Sequence, residues 1–101
     1  MINKDKFVGK ECIVRCDRAG VFFGEVVDFD KDMIELKNAR KLFYWTGACA
    51  VEQLSIDGTN SPNECKFTLT VDNIVLSQHI EIIPCTEKSI KSIKGVKEWK
   101  R

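Results

Sequence analysis

The sequence predicts a small α+β domain: a strongly bent, mostly antiparallel sheet of about five or six strands, one main helix, and a short C-terminal helix or tail. Three observations carry this. From Cys12 to Trp45, runs rich in Val, Ile and Phe alternate with Asp- and Gly-containing turns. A stretch after Trp45 shows helical spacing in Ala50, Val51 and Leu54. After Pro84, lysines and apolar residues recur together at a fixed interval.

Residues 1–11 read as a polar lead-in with a turn at Gly9. Cys12 to Cys16 is a strand with Cys12, Val14 and Cys16 on one face and Ile13 and Arg15 on the other. Asp17 to Gly20 turns the chain. Val21 to Phe29 is a second strand, apolar on both faces: Val21, Phe23, Val27 and Phe29 on one, Phe22 and Val26 on the other. A single-domain sheet usually wets one face, so this predicts a helix on one side and a ligand or second subunit on the other. Gly24 marks a bulge or a close backbone approach. Asp30 to Asp32 turns again, and Met33 to Lys37 alternates as a third strand. Asn38 to Arg40 then leads into a fourth, Leu42 to Trp45.

Thr46 is a candidate cap for a helix that runs to about Ile56, with Gly58 as its C-cap. Lys66 to Val71 is a strand with Phe67, Leu69 and Val71 on one face. Ile74 to Leu76 and Ile80 to Ile83 are apolar runs that flank Ser77, Gln78 and His79. Lys88, Lys91, Lys94, Lys97 and Lys100 recur in step with Ile90, Ile93, Val96 and Trp99. A straight helix of period 3.6 lets such a stripe drift. The reading is a short helix capped by Thr86, then a tail that lays Val96 and Trp99 on the body.

The totals restrict function. The chain of 101 residues reads as a single domain, 1–101, and its net charge is +1. No global field draws it to DNA, so nucleic-acid binding is not expected. No apolar run reaches the length of a membrane span, and the polar N-terminus does not resemble a signal peptide. The expectation is an intracellular protein without a membrane partner. Cys12, Cys16, Cys49, Cys65 and Cys85 are odd in number and form no C-x-x-C pair. They read as buried free thiols, with neither a disulfide framework nor a zinc site. No cofactor motif is present, and His79 is the single histidine.

The densest chemistry lies between Lys37 and Ala50. Lys37, Arg40 and Lys41 precede three aromatics in a row, Phe43, Tyr44 and Trp45. Either the rings face the core and the cations are solvated, or the cluster holds a phosphorylated ring system by stacking and charge. Under the second reading Tyr44 and Trp45 stack, Arg15, Arg18, Arg40 and Lys66 meet phosphates, and Asn38 and Thr68 read a base edge or ribose hydroxyl.

The motifs V-R-x-x-x-A-G-V-x-x-G at Val14 to Gly24, L-K-N-A-R followed by Y-W-x-G-A at Leu36 to Ala48, C-K-F-T from Cys65 and I-E-I-I-P-C-T-E-K from Ile80 together resemble a family of small phage and prophage proteins. The resemblance covers nearly the whole chain. It implies a setting in the cytoplasm of an infected bacterial host. It also implies a similarity to phage sponge proteins, which bind immune signalling nucleotides without cleaving them. Such signals are cyclic dinucleotides from anti-phage cyclases or ADP-ribose derivatives from TIR enzymes.

Three classes of function follow as expectations. The first is a nucleotide-sequestering protein, with a cyclic dinucleotide as the favoured ligand. A chain this small rarely encloses a dinucleotide, so the site would lie between subunits of a homo-oligomer. The second is an enzyme such as a phosphodiesterase. It is not expected, because His79 stands alone and Asp28, Asp30 and Asp32 sit where turns favour acidic residues. The third is an inhibitor or accessory factor that binds a host or virion protein, with Tyr44 and Trp45 as anchors.

Overall fold

Turn chemistry sets the first three strands. In the computed structural model, which describes residues 2–101, β1 (Glu11–Cys16), β2 (Gly20–Phe29) and β3 (Met33–Tyr44) form an antiparallel meander. Gly20 takes a φ of 105° at the first reversal, where a side chain would be strained. At the second, one Asp30 carboxylate oxygen accepts the Asp32 and Met33 N–H groups at 2.8 and 2.9 Å. Those backbone bonds hold the Asp30 carboxyl below its ordinary pKa.

The remaining strands extend both edges. β4 (Lys66–Phe67) and β5 (Val71–Ser77) pair with β3, while β6 (His79–Pro84) pairs with β1. The sheet has six strands and every ladder is antiparallel. Only Gln78 separates β5 from β6, although they belong to opposite edges. Gln78 accepts the Asp17 N–H and donates its own N–H to the Asp32 carbonyl, both at 2.9 Å. The two edges therefore meet at this corner, and the sheet is bent as expected.

This curvature explains the two apolar faces of β2. Phe22 and Val26 pack inside the bend with Cys12, Val14, Ile34 and Leu36. Phe23 and Val21 pack outside it, against Ile13, Leu42 and Phe67 and the helices α1 (Val51–Asp57) and α2 (Glu87–Gly95). The inner face of β2 is thus covered by the sheet's own curvature and the outer face by the two helices. Phe29 also departs from strict alternation. A register shift between Val26 and Asp28 turns it to the inner cluster and leaves Val27 in solvent.

β3 is longer than expected, because Asn38 to Arg40 does not end it. Asn38 adopts a φ of 50° and supplies the extra residue of a bulge between the Phe23–Arg40 and Glu25–Lys37 pairs. Asparagine tolerates that left-handed conformation better than most residues. Gly24 lies opposite, and a Cβ there would sit 2.9 Å from the Ala39 Cβ. The close approach expected at Gly24 is real. The strand expected from Lys66 to Val71 is instead interrupted at Thr68 to Thr70, so β4 and β5 form a broken edge along β3.

The helices differ at one end and agree at the other. Thr46 does not cap α1; Ala50 takes the N-cap position with no side-chain bond. Gly58 does end α1, with a φ of 72° and its N–H on the Leu54 carbonyl. The Thr86 hydroxyl accepts the Ser89 N–H and caps α2, which is the longer of the two. Beyond α2, Val96 is buried and the Trp99 N–H donates to the Phe67 carbonyl at 2.8 Å. The tail therefore lies on the body as expected. No helix among the described residues is long and apolar enough to cross a membrane.

Candidate functional site

Arg40 faces inward from β3 and is only 4% exposed. Its Nε donates to the Thr68 carbonyl at 2.8 Å and its Nη2 to the Phe67 carbonyl at 3.1 Å. Its Nη1 donates to the Ile93 and Val96 carbonyls, both at 2.9 Å. One guanidinium thus joins β3, the break after β4, and the C-terminal end of α2. Those last carbonyls carry the negative end of the helix dipole, which suits a cation. Burial pushes the Arg40 pKa down, and Glu98 opposes that shift. The fork is spent on the fold, which corrects its assignment as a phosphate partner. Thr68 belongs to the same joint: its hydroxyl accepts the Lys41 N–H at 2.9 Å. Its side chain is therefore committed as well.

The other expected site residues are dispersed. Arg15 pairs with Glu81 at 2.9 Å across β1 and β6. Arg18 lies exposed in the β1–β2 turn. Asn38 is exposed at the bulge, where its backbone accounts for its identity. Trp45 is partly buried against the outer cluster with Val51 and Leu54, so it is a core ring rather than a free stacking surface.

Tyr44 and Lys66 remain together. They are register partners at the end of the β3–β4 ladder, and both are exposed. Around them the sheet edge and the tail gather further rings. Phe43 and Trp99 stack with centroids 5.0 Å apart and planes 17° apart. Lys66 Nζ lies 5.5 Å from the Trp99 ring centroid, a cation–π contact of about 0.5–1 kcal/mol at an exposed site. Tyr44 is 52% exposed and takes no part in the stack. The strand's alternation puts Leu42 in the core, and the end of β3 leaves Phe43 and Tyr44 in solvent. Trp99 lies on the body, as its spacing after Val96 predicts. Its partnership with Phe43 depends on a long-range β4 contact that no local pattern reveals.

The profile of a domain of unknown function, DUF6948, matches residues 9–93. The chain belongs to this family. The DUF6948 region runs from the lead-in to β1 into α2, and so contains Arg40, Tyr44 and Lys66. Val96 and Trp99 lie beyond it. Neither the curated proteins nor the solved structures give a match.

No cluster of His, Cys, Asp and Glu able to hold a metal ion occurs among the described residues. The cysteines are free; Cys12, Cys16 and Cys65 are buried, and Cys49 is exposed. Burial pushes the Cys12 thiol up to about 12, with Cys85 nearby adding to the shift, and pushes Cys85 up to about 11. Both remain protonated in the folded protein at pH 8. A thiol reagent at that pH is expected to modify Cys49 first, as mass spectrometry of the native protein would read. The same shifts predict alkaline destabilisation. Between the ordinary thiol value of 9.0 and the raised values, the folded state holds protons that the unfolded chain has lost. The contribution of these thiols is intact below pH 9 and falls as pH rises towards 11 and 12, which urea midpoints across that window would show.

Proposed function

We propose that this DUF6948 protein is a phage-encoded binding protein that sequesters a host immune signalling nucleotide, of the cyclic dinucleotide class, without cleaving it. The observation that carries the reading is the exposed ring face: Phe43, Tyr44 and Trp99 stand 55%, 52% and 39% exposed beside Lys66. Bases stack on such rings at about 1–3 kcal/mol each, and a lysine offers a point charge to phosphate. The face is open on one protomer, with a neighbouring groove of only about 180 Å³ beside Pro62, Lys97 and Trp99. On this reading a second copy of the chain covers the ligand in the infected cell's cytoplasm.

Tyr44→Ala and Lys66→Ala are expected to weaken nucleotide affinity by about tenfold each while leaving the melting temperature unchanged. Calorimetric titration checks the affinity, and chromatography of the released ligand should return it intact. Unaltered affinity in both variants, or a cleaved product, would contradict the reading. The openness of the face also favours a second reading, in which the same rings anchor a protein partner. In that case a lysate pull-down yields one stoichiometric protein that Tyr44→Ala loses.

A further inference from the structure

The bend of the sheet has an open mouth beside the Gln78 corner. A cleft of about 520 Å³ lies there, walled by Phe7, Phe29, Ile80 and Ile82. Phe29 meets Phe7 edge-on at 5.9 Å and His79 edge-on at 6.3 Å. Phe7, Phe29 and Ile82 also pack on the inner cluster, so the cleft reaches the core rather than lying on a flat surface. Its volume falls in the range of small-molecule sites, about 300–1,000 Å³, and barrel-like mouths are a recurrent place for them.

Two of the four charged side chains of the cleft are held in ion pairs. Lys4 pairs with Asp28 at 3.0 Å, and Glu81 pairs with Arg15 at 2.9 Å. Asp30, which holds no ion pair among the described residues, accepts two turn N–H groups on one oxygen. Lys31 has no ion-pair partner among the described residues. In the wall, His79 Nδ1 is enclosed without a hydrogen-bond partner, and no other buried side-chain polar atom among the described residues is left so. Native structures leave few such atoms, and each calls for an explanation. Lys31 and His79, the residue that carries the unspent atom, belong to the walls of one cleft.

We propose that this cleft binds a small aromatic acid, its ring continuing the edge-to-face array of Phe7, Phe29 and His79 and its anionic group at Lys31. The site is separate from the Tyr44 face and stands without the nucleotide reading. The test is an amide NMR titration of the full chain with 1-naphthoate and with the uncharged 1-naphthalenemethanol. Saturable shifts are expected at Phe29, His79, Ile80 and Ile82. Lys31→Gln should weaken naphthoate by about two- to fivefold and leave the alcohol unchanged. Ile80 is 56% exposed, so Ile80→Glu is expected to keep the fold and to weaken both probes at least tenfold. No saturation at millimolar probe, shifts centred on Phe43 and Trp99, or wild-type affinity in Ile80→Glu would each overturn the proposal.

Discussion

Replacing Arg40 with methionine is expected to destabilise the protein by about 3–5 kcal/mol. Methionine keeps an apolar stem, so the loss isolates the guanidinium. Four carbonyl groups lose the guanidinium at once; Phe67 keeps the Trp99 N–H and Ile93 the Val96 N–H, so the loss falls mainly on Thr68 and Val96. An acceptor left buried and unpaired costs about 1–3 kcal/mol. Partial access of water reduces the sum. Arg40→Lys should recover only part of the loss, because an ammonium is a point donor and cannot span the fork. Urea unfolding followed by circular dichroism gives the difference. A destabilisation under 1 kcal/mol would show that the carbonyls find other partners and that Arg40 is not the joint described.

Phe67→Ala is the second large effect, also about 3–5 kcal/mol. Phe67 is fully buried in the outer cluster, and its backbone belongs to β4. Its carbonyl accepts from both Arg40 and the Trp99 N–H. The Arg40 guanidinium also lies 5.5 Å from the Phe67 ring centroid. Removing the ring opens a cavity beneath the strand and takes a face from the cation. The two substitutions share partners, so their effects should not add. A double-mutant cycle is expected to show a coupling of about 0.5–3 kcal/mol. Additivity within error would mean that ring and cation act independently.

Much of the fold was legible because periodicity and turn residues agree along the first half. Cys12, Val14 and Cys16 share the inner face as alternation predicts, and Thr86 and Gly58 cap helices where their chemistry allows it. Strand β3 runs past Asn38, against the sequence expectation, for a physical reason. The residue that looks like a breaker is the one a bulge needs, and the strand continues past it. The apolar second face of β2 implied a partner only for a flat sheet. Curvature supplied the cover from within, through pairing between residues far apart in sequence. The role of Arg40 is hidden from the sequence for a related reason. A cation beside aromatics looks the same in sequence whether its fork meets phosphate or four carbonyls, and all four of those carbonyl residues lie more than twenty-five positions away. Tyr44 and Lys66 stay together because one ends β3 where the other begins β4 beside it.

The most direct test of the proposed binding face is a thermal-shift panel of cyclic dinucleotides, cyclic trinucleotides and ADP-ribose derivatives, run on the wild type and on Tyr44→Ala. A ligand specific for the folded state adds about 2.7 kcal/mol at a hundredfold excess over its dissociation constant, which for a domain of this size raises the melting temperature by about 10 °C or more. The account predicts such a shift for one ligand class in the wild type and its loss in Tyr44→Ala. A flat panel at saturating concentration, or a shift that Tyr44→Ala retains in full, would contradict it.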